Sequence, residues 1–391
     1  MDIGALKRSI RFKMLGGILI LELLMVAVYS GILYISVRNS LALNATKAVE
    51  RSQGAYNLIL QGDTKMLSAA MNSLATNASL RQVYADHQDR QKLQEAVQDL
   101  YRENKARFGI THLYFIDKDG TCFLRAHDPG NFGDVVQRET FQQARAAGKT
   151  VSGIELGKTA FALRVVTPYL HNGDLIGFLE FGEEIDHFDQ LVKRETGVDV
   201  AVMVDKQFLD EDQYRKTLKA KGKADNWDQF KGFVMVSTTL ADATTAAGMV
   251  SEEEFRKATS PEYFGVFTRG SRSLAKGAFP LKDASGKQVG VVLALNDVTD
   301  QIRNEHSAIW TLVLATVLVF AGSFVVAAMY LRVEIIGPLV QLAGQAKEIS
   351  MGNVDLKLET EREDEIGLLI RSFERMRVSL KKSIAMLTRP E

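Results

Sequence analysis

The sequence predicts an α+β chain. Two transmembrane helices enclose a long helix and two α/β modules outside the membrane, and a parallel four-helix bundle, built from two copies, lies inside. Three observations predict it. Two apolar runs, residues 14–37 and 308–331, are each long enough to cross a bilayer core of about 30 Å. Between them the apolar spacing changes from helical to alternating near residue 108. A hairpin signature also occurs twice. Pro168-Tyr-Leu, Gly173-Asp-Leu-Ile and Gly177-Phe-Leu-Glu are followed later by Pro280-Leu-Lys, Gly286-Lys-Gln-Val and Gly290-Val-Val-Leu.

The chain has 391 residues, enough for two or three domains, and a formal net charge of zero. That balance gives no basic surface for nucleic acid. The one cysteine, Cys122, cannot form an internal disulfide. Without Cys-x-x-Cys-His there is no covalent haem site, and Cys122 reads as a small buried apolar residue. No cofactor is expected.

Residues 1–13 carry Lys7, Arg8, Arg11 and Lys13, so the N-terminus is expected in the cytoplasm. The run 14–37 is too long for a signal-peptide core and lacks a small-residue cleavage site, so it reads as an uncleaved anchor. Glu22 interrupts it and should face a partner helix or an interface. With the second span at 308–331, residues 38–307 become extracytoplasmic.

Residues 38–107 read as helical, with a second stretch at 88–107 ending near Gly109. Leu41, Ala48 and Ala55, and likewise Ala45, Ser52, Ile59 and Met66, recur at sevens. That spacing suits packing on a second copy or on the chain's own domain. A distal module follows at about 108–196. His112-Leu-Tyr-Phe-Ile-Asp is a strand, Lys118-Asp-Gly a turn, and Thr121 to His127 a second strand, on which Arg125 and His127 share one face. Asp128-Pro-Gly breaks it, and a helix is expected over 134–147, closed by Gly148. Strands at 161–167 and 175–181, the turn His171-Asn-Gly-Asp and a helix at 184–195 complete the module. The proximal module, about 197–297, has strands near 198–204, 263–268, 273–281 and 288–296, with a long polar insertion reaching about 260. Asp297-Val-Thr-Asp300 starts the helix that enters the second span.

After the membrane, Ile335-Ile-Gly-Pro338 opens a helix carrying Leu339, Leu342, Ala346 and Ile349 at threes and fours. Gly352 ends it, Val354, Leu356 and Leu358 form an extended connector, and Asp364-Glu365-Ile366-Gly367 starts a second helix with Leu369, Phe373, Met376 and Leu380. Each helix shows a narrow seam that one copy cannot bury, so a parallel homodimeric bundle is the natural solution. A tail, 387–391, follows, and no output domain is expected after it. That leaves open whether a cytoplasmic signalling partner is supplied in trans.

Residues 332–386, through Pro338, Gly352 and Asp364-Glu365-Ile366-Gly367, resemble a HAMP domain, the linker of bacterial chemoreceptors, sensor kinases and membrane cyclases. The resemblance implies a homodimer that converts transmembrane motion into rearrangement of its bundle. The outer region resembles a double Cache sensor of the domain 3 group. Leu124-Arg-Ala-His-Asp-Pro with Gly133-Asp134, Gly153-Ile-Glu-Leu-Gly157, Leu163-Arg164 with Pro168, and Ile176-Gly-Phe-Leu-Glu-Phe-Gly182 carry it. This implies a long helix supporting two stacked PAS-like modules, with small-molecule binding in the distal one.

The candidate ligand residues are Arg125, His127, Arg164, Tyr114, Asp134, Glu155, Phe178 and Glu180. The arginines and His127 read as cations on strands, suited to a small organic acid or amino acid. Tyr114 and Phe178 could wall the ligand, and Asp134, Glu155 and Glu180 could take an ammonium. Alternatively, the carboxylates pair with the arginines, Arg164 with Glu180 across neighbouring strands. His127, Asp128 and Asp134 lack a matching histidine pair, so no metal is expected there. Without a nucleophile motif such as Gly-x-Ser-x-Gly, an extracytoplasmic enzyme has only this cluster behind it. The leading expectation is a transmembrane sensory receptor in the plasma membrane. The alternative is a membrane scaffold with a vestigial sensor that docks a separate signalling protein.

Overall fold

A computed structural model describes residues 10–86, 89–157, 161–220, 222–241 and 251–387. Lys7, Arg8, most of the expected tail and part of the polar insertion lie outside them. The chain divides into two compact units, residues 38–303 and the segments on either side of them.

In the first unit, helix α1 (Ile10–Ala75) contributes its length from residue 38 onward. Ala45, Ala48, Val49, Ser52, Tyr56, Leu67, Met71 and Leu74 are buried. They recur at threes and fours, so the stripe faces the unit's own core. The expected helix over 38–107 is three helices. Asn77 caps α2 (Ala78–Ala85) by accepting from Leu80 N at 3.1 Å. Asp89 caps α3 (Arg90–Phe108), which Gly109 closes in the left-handed conformation.

The distal module is an antiparallel sheet in the order β2-β1-β5-β4-β3. Its strands are β1 (His112–Ile116), β2 (Cys122–Arg125), β3 (Val151–Leu156), β4 (Phe161–His171) and β5 (Asp174–Glu184). Helix α4 (Glu139–Ala147) precedes β3, and α5 (Phe188–Thr196) follows β5. Two expectations need correction, and one strand, β3, is unexpected. β2 ends at Arg125, so His127 lies on a turn. α4 starts five residues late, because residues up to Val136 are drawn along β2 by Cys122 N–Asp134 O and Val136 N–Gly120 O bonds. β3 reads weakly in sequence because it is a sheet edge and only one of its six residues is buried.

The proximal sheet has the corresponding order β7-β6-β10-β9-β8. Its strands are β6 (Asp199–Asp205), β7 (Phe233–Thr238), β8 (Glu262–Arg269), β9 (Arg272–Lys282) and β10 (Gln288–Asp297). The supposed polar insertion contains α6 (Glu211–Ala220), β7 and α7 (Glu252–Lys257). The repeated hairpins are β4–β5 and β9–β10. Their turn glycines, Gly173 and Gly286, have φ of 92° and 82°. Their strand glycines permit close approach: a Cβ on Gly177 would lie 2.5 Å from Ile116 O, and one on Gly290 2.2 Å from Met203 O. The modules join where Ala284 N donates to Ile154 O at 2.8 Å. Leu113, Phe115, Val165 and Phe181 of the distal sheet and Val202, Val204 and Val292 of the proximal sheet join apolar residues of α1–α3 in one core.

The second unit holds the two apolar helical segments, from α1 and from α8 (Thr299–Tyr330), both long and apolar enough to cross a membrane. Ser323 donates to Glu22 at 2.5 Å, giving that carboxylate a partner on the other helix. A π-helical stretch (Leu331–Ile336) leads into α9 (Gly337–Ser350), with Pro338 in its first turn. Gly352, at φ 102°, ends α9. The connector buries Leu358 against Leu342, Ile349 and Phe373. Asp364 caps α10 (Glu365–Leu387) by accepting from Gly367 N at 2.9 Å. A Cβ on Gly367 would lie 2.0 Å from Arg362 O. Arg377 is buried and donates to Val354 O and to Glu374, whose carboxylate also accepts from Leu358 N at 2.9 Å. The expected seam divides: Phe373 packs inside the chain, whereas Leu369, Met376 and Leu380 are exposed.

A guanidinium cluster on the free face of the distal sheet

The face of the distal sheet turned from the long helices carries the candidate site. Strand register builds it. Tyr114 on β1 lies opposite Arg125 on β2 and Glu180 on β5, so the three side chains share a face. Arg164 on β4 lies opposite Gly182. A side chain at Gly182 would sit 2.5 Å from Arg164 Nη1, so the glycine leaves room for the arginine to lie across β5. α4 roofs the apolar part of this face, where Phe178 meets Phe141 edge-on at 5.2 Å. Cys122 is buried there, and burial pushes its thiol up to about 11.

The Tyr114 ring, 5 % exposed, is approached by three guanidiniums. Arg138 stands 4.6 Å, Arg125 5.1 Å and Arg164 5.6 Å from its centroid. Glu180, wholly buried, bridges two of them: Oε1 accepts from Arg164 at 2.9 Å and Oε2 from Arg138 at 3.0 Å. Arg125 holds the 126–134 loop, donating to Asn131 O at 2.6 Å and to Asp134 at 2.8 Å. Burial opposes its charge, but Asp134 and Tyr114 outweigh burial and raise its pKa. In turn Arg125 lowers that of Asp134. Glu155 on β3 accepts from Thr140 N at 2.6 Å, so it holds the first turn of α4, where a carboxylate is favoured.

His127 accepts from Leu113 N at 3.3 Å and meets Tyr114 edge-on at 5.0 Å. Burial, with Arg164 and Arg125 nearby, lowers its pKa to about 4. It is therefore neutral near pH 7, and the reading of His127 as a strand-borne cation is wrong on both points. His112 lies beside it at 4.6 Å, and its pKa falls to about 2, again by burial first and then by Arg164.

Sequence reasoning missed Arg138, His112 and Thr140. Arg138 left a signal: it occupies the N-cap of α4, where a cation opposes the helix dipole and makes no capping bond. Arg164 Nε is buried without a hydrogen-bond partner. Among the described residues the cluster sets Arg125, Arg138 and Arg164 against Asp134, Glu155 and Glu180, so its charges balance.

Residues 46–302 match the family model of the double sensory domain of two-component sensor kinases (dCache_3), and residues 331–382 match the HAMP domain. Both are sensory and signal-transducing rather than catalytic domains. Among curated proteins none matches. Solved structures that match the chain include the ligand-binding domain of Campylobacter jejuni chemoreceptor Tlp3 in complex with 4-methylisoleucine. It has a TM-score of 0.41 and 9% identity, over 67% of this chain and 93% of that one. The sensor domain of the Vibrio cholerae histidine kinase DctB has a TM-score of 0.40 and 10% identity, over 66% and 98%. The periplasmic domain of V. cholerae LuxQ has 0.37 and 12%, over 66% and 99%.

Proposed function

Because this chain belongs to the family of double sensory domains of two-component sensor kinases and carries a HAMP domain, we propose that it is a transmembrane receptor for a small zwitterionic ligand. The observation that carries the reading is the convergence of Arg125, Arg138 and Arg164 on Tyr114, on the sheet face that the long helices leave free. Arginine takes carboxylates through paired N–H donors. The unpartnered Arg164 Nε supplies a donor at the site that the folded chain itself does not use. Balanced charge favours an amino acid over an organic acid, since a zwitterion adds no net charge to a buried cluster. Arg125, tied to Asn131 and Asp134, braces the loop, while Arg138 and Arg164 contact the carboxylate. Tyr114 is the aromatic wall, Glu180 orients the two arginines, and Phe178 forms the apolar floor.

In this reading residues 14–37 and 308–331 span the plasma membrane, with 38–307 outside and 332–386 inside. Ligand binding shifts a two-state equilibrium only by its differential affinity for the two states. The exposed Leu369, Met376 and Leu380 are the seam through which two HAMP domains pair. Pro338, Gly352, Asp364, Glu365 and Gly367 set the ends of the helices that would move. A signalling partner in trans would read the bundle.

The test is calorimetric titration of the full chain in nanodiscs with amino acids and organic acids. A saturable amino-acid ligand is expected, with its affinity lowered at least about tenfold by Arg164→Lys, since a bidentate fork is lost. Unchanged affinity in Arg164→Lys and Arg138→Lys would place the ligand elsewhere.

A further inference from the structure

A second constellation lies away from the arginine cluster. Asp63 of α1, Glu183 near the end of β5 and His187 just before α5 turn their donor atoms toward one another. His187 Nε2 is 3.1 Å from Asp63 Oδ2 and 3.6 Å from Glu183 Oε1. All three donors lie within 4.8 Å of one another. We propose that Asp63, Glu183 and His187 bind one divalent transition-metal ion with zinc-like preference, with water completing its coordination.

Four observations carry this. First, zinc bonds of about 2.0–2.2 Å to nitrogen and carboxylate oxygen place tetrahedral ligands about 3.3 Å apart, close to the two distances observed. Second, the Glu183 side chain is only 7 % exposed and its Oε2 meets no hydrogen-bond partner. A buried carboxylate that carries an unpartnered oxygen is stabilised by a nearby cation. Third, the His187 ring also bonds the Glu184 backbone, the kind of outer contact that fixes a metal-binding imidazole. Fourth, His187 is 43 % and Asp63 20 % exposed, which gives the ion a path in and leaves room for water. An imidazole in the set favours zinc-like ions over magnesium or calcium.

The bound ion would tie α1 to the β5–α5 corner, where the distal module passes into the proximal one. It would thereby set how freely α1 shifts against the sheet, independently of the amino-acid site.

The experiment uses the full chain in nanodiscs, stripped with chelator and titrated calorimetrically with zinc chloride and, separately, magnesium chloride. One zinc per chain is expected, bound at least about tenfold more tightly than magnesium. His187→Ala and Asp63→Asn should each weaken it at least about tenfold, since each removes one of three protein ligands. Arg125→Ala should leave it unchanged. Cobalt should give a visible absorption band that His187→Ala abolishes. Circular dichroism confirms that each variant is folded. No saturable zinc binding in the unaltered chain overturns the proposal, as does equal affinity for magnesium or a zinc site that survives His187→Ala.

Discussion

Replacing Glu180 by glutamine removes one charge from the centre of the distal cluster and leaves its shape. Glu180 is fully buried and accepts from Arg164 at 2.9 Å and from Arg138 at 3.0 Å. Glutamine can accept from only one of them, and its amide nitrogen then points a donor at the other guanidinium. Two buried cations lose their shared counterion. Breaking a buried ion pair from one side costs about 3–5 kcal/mol. At roughly 2–4 °C per kcal/mol for a domain of this size, the thermal midpoint should fall by about 10 °C. Differential scanning fluorimetry of the full chain in nanodiscs reads this directly. Glu180→Gln with Arg164→Gln should cost less than the sum of the two single changes, because the double variant leaves one fewer charge stranded. A midpoint that moves less than about 2 °C, or strict additivity, would refute the ion bridge as the element holding this face together.

Three further outcomes follow from the same structure. Gly177→Ala and Gly290→Ala should each destabilise the sensory unit by about 1–3 kcal/mol, measured by urea unfolding, because each added methyl meets a neighbouring strand's carbonyl; tolerance of both would undo the close-approach explanation of the repeat. His127 has a folded pKa of about 4, below its unfolded value of about 6.5, so the unfolded chain takes the proton first. The stability it contributes above pH 6.5 is lost as pH falls toward 4 and is flat below. Against His127→Asn, the unaltered chain should lose about 1–2 kcal/mol more over that window, the ring being half-buried. Identical pH profiles would contradict the assigned environment. Met376→Cys should cross-link between two chains in membranes more readily than Lys382→Cys, with the single buried Cys122 adding no background. Equal cross-linking at both positions would argue against the seam.

Much of the architecture follows from the one-dimensional pattern. Apolar run length and flanking charge locate the two candidate spans without reference to folding, because the criterion is thickness of hydrocarbon against helix rise. The repeated glycines announce two modules because each answers a local demand: a positive φ at Gly173 and Gly286, a close strand neighbour at Gly177 and Gly290. The HAMP motif is equally local. Asp364 caps the helix that it begins, and Gly367 sits against the carbonyl of Arg362, two residues before that cap.

What the sequence could not reveal depends on which residues meet across strands and helices. Arg125 and Arg164 are visible in the pattern, yet their separate roles come from the loop that claims one and the buried Glu180 that claims the other. Arg138 joins them only because α4 starts late and turns its N-cap residue toward β5. The charge of His127 was misread because burial, a three-dimensional quantity, decides it. The Asp63–Glu183–His187 constellation spans 124 residues of chain and has no spacing signal at all. Periodicity and caps are local free energies and can be read in order. A site assembled across register and burial exists only once the sheet has closed on its helices.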